Sequence, residues 1–386
     1  MKATTFLAAC LQSTLLTGAL AAEYAFVGSY ESAILTYTFN NQTGALQQIN
    51  SIGARTPSWI EVSDDGKFLY AVEEVSGGGL ASFKINPDGR LTKAGSAIGR
   101  PFGASLGFNK EKNVIITANY GDSSASVYSN DPKTGAIKSV RNFQWKITPK
   151  PGAPDNQRAS HPHQALFDDS GKFALIPDLG ADLIRILKVN GPNNIQELKS
   201  VEMDAKTGPR HGVFYPAKGT PKYYFVVAEI ANTITAYSVS YPGGDIQLTK
   251  LRSYSTLEAG MTGAAGEILI SPSGKHLFAS NRLDNKWGDR TSSIARFALN
   301  GSTGELGPLS LINSGVENIR HMIIHPEGNY FVTQGFSSQN IKVFKFDSET
   351  GNFGALVDTE QARMPAVLQW LNTDKVGGPP AGCKNY

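Results

Sequence analysis

The chain has 386 residues, enough for two or three domains of about 150 residues or for one larger all-β unit. Charged residues make up 18% and hydrophobic residues 40%, a composition that excludes an intrinsically disordered chain. The formal net charge is only +3 and no long basic run occurs, so the charge pattern of a nucleic-acid-binding protein is missing. Forty glycines indicate many turns.

The first 22 residues have the pattern of a secretory signal. Lys2 precedes an uncharged stretch that ends on Ala19-Leu20-Ala21-Ala22, the small-residue sequence that a signal peptidase accepts. The apolar part is too short for a transmembrane anchor, and no later segment offers about 18 consecutive apolar residues. We therefore expect residues 1–22 to be removed, residues 23–386 to form one domain, and the mature protein to be secreted, extracellular and without a membrane partner.

Secretion would also determine which cysteine remains in the mature chain and whether two asparagines are glycosylated. Cleavage removes Cys10 and leaves Cys383 as the one remaining thiol, either free or paired with another molecule. Two Asn-x-Ser/Thr patterns lie in turn sequences and predict N-glycosylation at Asn41 and Asn300.

Two sequence features repeat together along the chain. The first is a turn followed by an apolar strand that closes on a polar residue, clearest in 64–73, 169–178 and 271–281 and weaker in copies that end at Asn119, Glu229 and Gln334. The second is a hairpin turn of the Thr-Gly or Asp-Gly kind, of which we count seven, including Thr43-Gly44, Asp88-Gly89 and Thr134-Gly135. Both recur about every 50 residues, and no helical periodicity accompanies them.

Repeats of this length with four short strands each are typical of β-propeller blades. We therefore predict an all-β fold, a seven-bladed β-propeller with four-stranded antiparallel blades. The strand from Tyr24 and the last strand, near Met364 to Leu371, would close the ring. A β-sandwich or a β-helix would not explain two features that repeat at one period.

The strand starts beside the predicted central channel carry unusual residues. Histidine, arginine or glutamate stands there in several repeats where Val or Ile would suit a purely structural strand. Four of the six histidines lie at these starts. Together with polar residues that close the following strands, they give a set of candidate substrate-binding residues: His161, His211, Asn119, Asp178, Asn281, Arg320 and His321.

Several motifs resemble the seven-bladed propeller lactonases, a family that includes bacterial 6-phosphogluconolactonase and the fungal 3-carboxy-cis,cis-muconate lactonizing enzyme. The motifs are His161-Pro162-His163-Gln164-Ala165-Leu166-Phe167, Pro177-Asp178-Leu179-Gly180-Ala181-Asp182, Gly208-Pro209-Arg210-His211 and Phe278-Ala279-Ser280-Asn281-Arg282. The resemblance covers nearly all of residues 23–386 and suggests a secreted, fungal-type member. It implies a catalytic set of His163, Arg210, Glu229 and Arg282.

Such a set suits metal-independent opening of a lactone, with His163 as general base, Arg210 as donor to the carbonyl oxygen or a carboxylate, Glu229 as its partner and Arg282 as an anion clamp. The resemblance implies no cofactor, and a small lactone or carboxylate as the molecule bound. Because a phosphorylated sugar is an improbable extracellular substrate, an unphosphorylated sugar-acid lactone is favoured. Three alternatives stay open: a carboxymuconate cyclase, a calcium-dependent hydrolase that uses Asn119, Asp178, Glu229 and Asn281, and a non-catalytic binding propeller.

Overall fold

The computed structural model describes residues 23–109, 111, 113–284, 286–288 and 291–371. The predicted signal, Cys10 and Cys383 lie outside the described residues. Within them, no helix is both long and apolar enough to span a membrane. Three single turns of 3-10 helix occur, at Tyr120–Asp122, Asp155–Gln157 and Pro242–Gly244.

The described residues form 28 strands. In chain order they are β1 (Glu23–Ser29), β2 (Ala33–Asn40), β3 (Ala45–Gly53), β4 (Ile60–Val62), β5 (Phe68–Val72), β6 (Gly79–Ile85), β7 (Leu91–Ile98), β8 (Gly103–Phe108), β9 (Val114–Asn119), β10 (Ser124–Asn130), β11 (Ile137–Gln144), β12 (Leu166–Phe167), β13 (Phe173–Asp178), β14 (Leu183–Val189), β15 (Ile195–Glu202), β16 (Pro209–Tyr215), β17 (Tyr223–Ala228), β18 (Thr233–Ser240), β19 (Gln247–Ser255), β20 (Ala264–Ile270), β21 (His276–Arg282), β22 (Ser293–Ala298), β23 (Ser310–Asn313), β24 (Ile319–Ile324), β25 (Tyr330–Gly335), β26 (Asn340–Asp347), β27 (Asn352–Gln361) and β28 (Pro365–Leu371).

The strands form seven antiparallel four-stranded sheets, the blades of a propeller. Blades 2 to 7 each use four consecutive strands, from β4–β7 to β24–β27. In blade 1 the C-terminal strand β28 pairs with β1, and Ala25 lies opposite Trp370 in this register. The predicted fold and the predicted closure by the two terminal strands are therefore confirmed.

The burial of the strands follows their place in the blade. The second strand of a blade is almost entirely buried, and β5 and β25 are buried at every position, because neighbouring blades cover both faces of this strand. The outermost strands, such as β7 and β19, are mostly exposed and carry many charged and polar residues. The apolar core therefore lies between the blades, and six clusters of buried side chains fill it.

The two sequence repeats contact each other across the blade boundaries. Gly135, in the outer hairpin of blade 3, has a φ of +72°, and a Cβ built on it would lie 2.6 Å from the Phe68 ring of blade 2. The same pairing of a left-handed turn glycine with a ring of the preceding blade recurs at Gly44 with Tyr330, Gly89 with Tyr24, Gly304 with Tyr223 and Gly351 with His276. Only glycine fits both the backbone conformation and the close approach of the ring. The shared period of the two features thus has one physical cause.

Candidate active site

Strand register sets which side chains reach the central channel. In blades 4, 5 and 7 the inner and second strands pair as Pro162 with Asp178, Pro209 with Ala228 and Ile319 with Gly335. Residues next to these pairs, and residues near the corresponding ends of strands in the other blades, form tiers along the channel. We call them the mouth tier (Tyr30, Tyr120, Glu229, Arg282, Phe336), the middle tier (His163, Arg210, Arg320) and the deep tier (Trp59, His211, Glu267, His321).

A chain of hydrogen bonds links the middle tier to the deep tier. His163 Nδ1 lies 3.1 Å from His211 Nε2, and His211 Nδ1 lies 3.1 Å from both carboxylate oxygens of Glu267. All three side chains are buried. The Trp59 and His211 rings pack nearly perpendicular to each other, with 5.2 Å between their centroids.

Two arginines approach one oxygen of Glu229. Arg210 Nε lies 3.1 Å and Arg282 Nη2 lies 2.5 Å from Oε2. Arg210 Nε, Arg282 Nε and Arg282 Nη2 are nevertheless buried without a hydrogen-bond acceptor among the described residues. Arg210 Nη1 does donate a hydrogen bond, to the backbone oxygen of Gly266 at 2.8 Å. The contact with Glu229 is therefore an ion pair, and these guanidinium nitrogens lack a hydrogen-bond acceptor among the described residues.

A third arginine completes the cationic side of the site. Arg320 donates a hydrogen bond to the Tyr30 hydroxyl and lies over the Tyr30 and Phe336 rings, 4.6 and 5.5 Å from their centroids. Tyr30, Arg320, His163 and Arg210 line a cavity of about 10 Å³ at the channel axis. That volume is about the room that one water molecule needs.

Burial and positive charge keep the site histidines neutral. Burial lowers the pKa of His163 well below 6.5, and Arg210, His211, Arg320 and Arg282 lower it further. The pKa of Arg210 is lowered to about 10, by burial and by the charge of Arg282, so this side chain is still charged at neutral pH.

The deep tier has the opposite balance. Burial raises the pKa of Glu267, but its interactions with His211, His321 and Arg210, including the hydrogen bond from His211, outweigh burial and lower that pKa. Burial also lowers the pKa of His211. The deep tier therefore holds an ionised carboxylate beside a neutral imidazole.

A larger cavity, of about 560 Å³, occupies the opposite end of the channel. Its wall consists mainly of apolar residues from the later parts of β16, β20 and β24. It meets the site through the deep tier, at Trp59, Glu267 and His321, and through Gln164. The arginines and His163 lie in the mouth and middle tiers, so this end of the channel is the place where ester chemistry has an acid, a base and an anion site together.

A family model described as "Lactonase, 7-bladed beta-propeller" matches residues 24–370. The chain belongs to the seven-bladed β-propeller lactonase family. It is 47% identical over 373 residues to an Arthroderma benhamiae protein named "Probable 6-phosphogluconolactonase", covering 96% of this chain and 94% of that one. It is 30% identical to a Formosa agariphila protein named "6-phosphogluconolactonase", covering 86% of this chain and 94% of that one. The expectation of a lactonase-type hydrolase is confirmed.

A solved structure shares the fold of this lactonase. It is that of a periplasmic gluconolactonase from Pseudomonas aeruginosa, with a TM-score of 0.81 at 19% identity, covering 90% of this chain and 99% of that one. At this identity the likeness concerns the fold alone.

The structure brings the four predicted catalytic residues of this lactonase to one end of the channel. His163 and Arg210 line the same small cavity, and Glu229 lies between Arg210 and Arg282. Of the predicted substrate-binding residues, Arg320 lies beside them. His161 is half-buried near the mouth, where its ring stacks on Tyr120 at 4.4 Å.

Three other predicted substrate-binding residues point into the blades. Asp178 accepts hydrogen bonds from Ser160 Oγ at 2.5 Å and from the backbone N–H of His161 at 2.7 Å, and it pairs with Arg185 at 2.7 Å. The amides of Asn119 and Asn281 are likewise bonded to side chains of the neighbouring strands, Ser124 Oγ and Ser293 Oγ. Because side chains alternate along a strand, these residues face the blade, whereas Tyr120 and Arg282, which follow Asn119 and Asn281, face the channel.

The deep tier holds the two remaining predicted substrate-binding residues. His211 belongs to the chain of hydrogen bonds described above. His321 Nδ1 accepts from Gln334 Nε2 at 3.1 Å and faces the N–H of Leu368 at 3.4 Å, while Nε2 lies 3.9 Å from Glu267. Both side chains thus interact with the Glu267 carboxylate more directly than with a ligand at the mouth.

The acidic and amide side chains of the calcium alternative have separate partners. Asp178 is bound to Arg185, Glu229 lies against two arginines, and the Asn119 and Asn281 amides donate within their own blades. Across the part of the chain that the structure describes, no group of three or more His, Cys, Asp and Glu side chains is arranged to hold a metal ion.

Tyr30, Tyr120 and Glu267 are among the site residues that escaped the sequence prediction. Tyr30 and Tyr120 each follow a strand of the expected repeat, one position beyond the polar residue that the motif emphasises. Glu267 stands at a predicted strand start, but its role depends on His211, 56 residues earlier in the chain. Only an exact strand register could have predicted that these three side chains face the channel. The sequence repeat defines the register only to within one residue.

Proposed function

We propose that this lactonase opens the ring ester of a sugar-acid or carboxylate lactone at the mouth of the channel, without a cofactor. The observation that carries the proposal is the juxtaposition of a neutral histidine, His163, with buried guanidinium N–H groups of Arg210 and Arg282 that lack an acceptor. Buried donors without a partner are costly, so a bound carbonyl or anion is the natural acceptor.

In the proposed reaction, His163 Nε2 takes a proton from a water molecule whose oxygen attacks the lactone carbonyl carbon. The carbonyl oxygen becomes an oxyanion, and a donor on Arg210 stabilises it. Collapse of this intermediate breaks the ring C–O bond, and the imidazolium returns its proton to the departing ring oxygen. One water is consumed and one hydroxy acid is formed.

The remaining charged groups hold the substrate and the donor in place. Glu229 holds Arg210 and Arg282 at the mouth through the ion pairs to its Oε2. Arg282, and Arg320 on the other side of the cavity, would bind an anionic group of the substrate through their planar forks.

The test offers the purified protein glucono-, cellobiono- and 6-phosphoglucono-lactone, together with carboxymuconate. We expect opening of at least one lactone, and losses of about 10²-fold or more in kcat for His163→Ala and Arg210→Ala. His276→Ala is the matched control, because His276 lies at the rim of blade 6 against Gly351. Unchanged turnover in both site variants would contradict the assignment, and turnover of carboxymuconate alone would favour the cyclase.

We also propose that the protein is secreted, since the pattern of residues 1–22 is that of a signal. Of the two acceptors, Asn300 is exposed, whereas the Asn41 amide donates to Glu327 at 2.7 Å and is half-buried. Secretion from a eukaryotic host should therefore add a glycan that Asn300→Gln removes and Asn41→Gln largely leaves. Retention of the full chain inside the cell would contradict the proposal.

A further inference from the structure

The Glu267 carboxylate fixes the proton positions on two histidines. A carboxylate only accepts hydrogen bonds, so the proton of His211 must be on Nδ1, 3.1 Å from both oxygens. Burial keeps His211 neutral, which leaves its Nε2 as an acceptor. The 3.1 Å contact between His211 Nε2 and His163 Nδ1 then requires the proton of His163 to be on Nδ1. His163 Nε2 is left with its lone pair, as a general base requires.

Glu267 itself is held in a fixed orientation. Its Oε1 accepts the N–H of Ile268 at 3.0 Å, and its own N–H donates to Ser280 Oγ at 2.8 Å. His321 lies on the other side of the carboxylate. Its Nδ1 faces two donors, the side-chain amide of Gln334 and the backbone N–H of Leu368, so the proton of the ring is on Nε2. This Nε2 faces Glu267 at 3.9 Å. The carboxylate can therefore rotate little, and its charge stays directed at His211.

We propose that Glu267 and His211 are positioning residues that hold His163 in the tautomer with a free Nε2 and stabilise its imidazolium during lactone opening. This inference rests on the proposed function for its catalytic part. When His163 takes the proton of water, its Nδ1–H bond to His211 strengthens, and the negative charge of Glu267 acts through the His211 ring. No proton needs to leave Glu267, and none is consumed.

The substitution Glu267→Gln tests the inference because it keeps the shape of the side chain and removes its charge. We expect kcat to fall at least about ten-fold with KM changed by less than about two-fold, a smaller loss than the about 10⁴-fold known where the carboxylate contacts the base directly. The acid limb of kcat/KM should also move to lower pH, because the imidazolium of His163 loses a stabilising charge. Arg210, Arg282, Arg320 and His211 still face His163 in the variant.

Glu61→Gln is the matched control. Glu61 lies near Glu267 in the wall of the channel, and its Oε1 accepts the Trp59 indole N–H at 3.0 Å. Burial raises the pKa of Glu61 to about 8, so most of it is already uncharged at neutral pH. We expect this variant to keep the wild-type kcat and pH profile. A purely structural role of Glu267 would lower the thermal midpoint without moving the acid limb.

The tautomers can be measured without any substrate. In protein labelled with ¹⁵N-histidine, His163 and His211 should each show a protonated Nδ1 and an unprotonated Nε2, with assignments from His163→Gln and His211→Gln. A proton on His163 Nε2, or an unchanged kcat and pH profile in Glu267→Gln, would overturn the inference. If the wild-type protein opens no lactone, the proposed function fails, while the ¹⁵N spectrum still decides whether Glu267 and His211 set the tautomer.

Discussion

His211 Nε2 and His163 Nδ1 lie 3.1 Å apart, although 48 residues separate them in the chain. Adjacent blades carry the two histidines at neighbouring levels of the channel, and Glu267 of the next blade completes the row. The contact joins the residues that face the mouth to those that close the deep end of the site.

The position of the acid limb should depend on the arginines around His163. Arg320 is one of the charges that lower the pKa of His163, so Arg320→Gln should raise that pKa. Since catalysis needs the neutral imidazole, the acid limb of kcat/KM should move to higher pH. Rates measured from pH 4 to 8 test this, with the exposed Arg252→Gln as control. If the acid limb of kcat/KM keeps its position on the pH axis in Arg320→Gln, whatever the size of kcat/KM, the result would argue against His163 as the base.

Acid should destabilise the fold through the buried histidines. The pKa of His321 is lowered to about 4 by burial and is about 6.5 in the unfolded chain, so the unfolded chain binds the proton more readily. The stability contributed by the neutral ring is complete above pH 6.5 and is lost as the pH falls towards 4, by up to about 3 kcal/mol. Thermal midpoints measured across this range should fall, and His321→Gln should flatten the slope. An equal slope in the variant would show that other groups cause the loss.

Asp178 should matter for stability more than for substrate binding. Its side chain is fully buried and paired with Arg185, whose side chain is 7% exposed. Asp178→Ala would leave that guanidinium only the partly exposed Glu197 carboxylate, 3.8 Å away, as a counter-charge, at a cost of up to about 3–5 kcal/mol. Urea unfolding measures the loss, and Asp155→Ala, at a carboxylate that is 93% exposed, should cost almost nothing. A raised KM at unchanged stability would instead place Asp178 in the binding site.

The contact between a turn glycine and a ring of the preceding blade should be worth a measurable part of the stability. Gly135→Ala should cost about 1–3 kcal/mol, because the new methyl group meets both an unfavourable φ and the Phe68 ring. Gly191→Ala is the control, since Gly191 has a φ of +95° with no atom within 4 Å of the built Cβ. Equal losses in the two variants would mean that the ring contact contributes nothing.

The repeats determined the blades because, in five of the seven, a left-handed turn glycine packs on a ring of the preceding blade. Local motifs that resemble the propeller lactonases likewise implied His163, Arg210, Glu229 and Arg282.

Only the tertiary structure decided which neighbours of these residues face the channel. Adjacent residues on a strand point in opposite directions. An error of one position in the predicted strand register therefore selects Asn119, which faces the blade interior, instead of Tyr120, which faces the channel. The partnership of Glu267, His211 and His163 was also out of reach of the sequence, because each comes from a different blade. Local sequence patterns determine the order of the strands. The proton positions on the site histidines depend instead on contacts between blades, which form only when the ring closes.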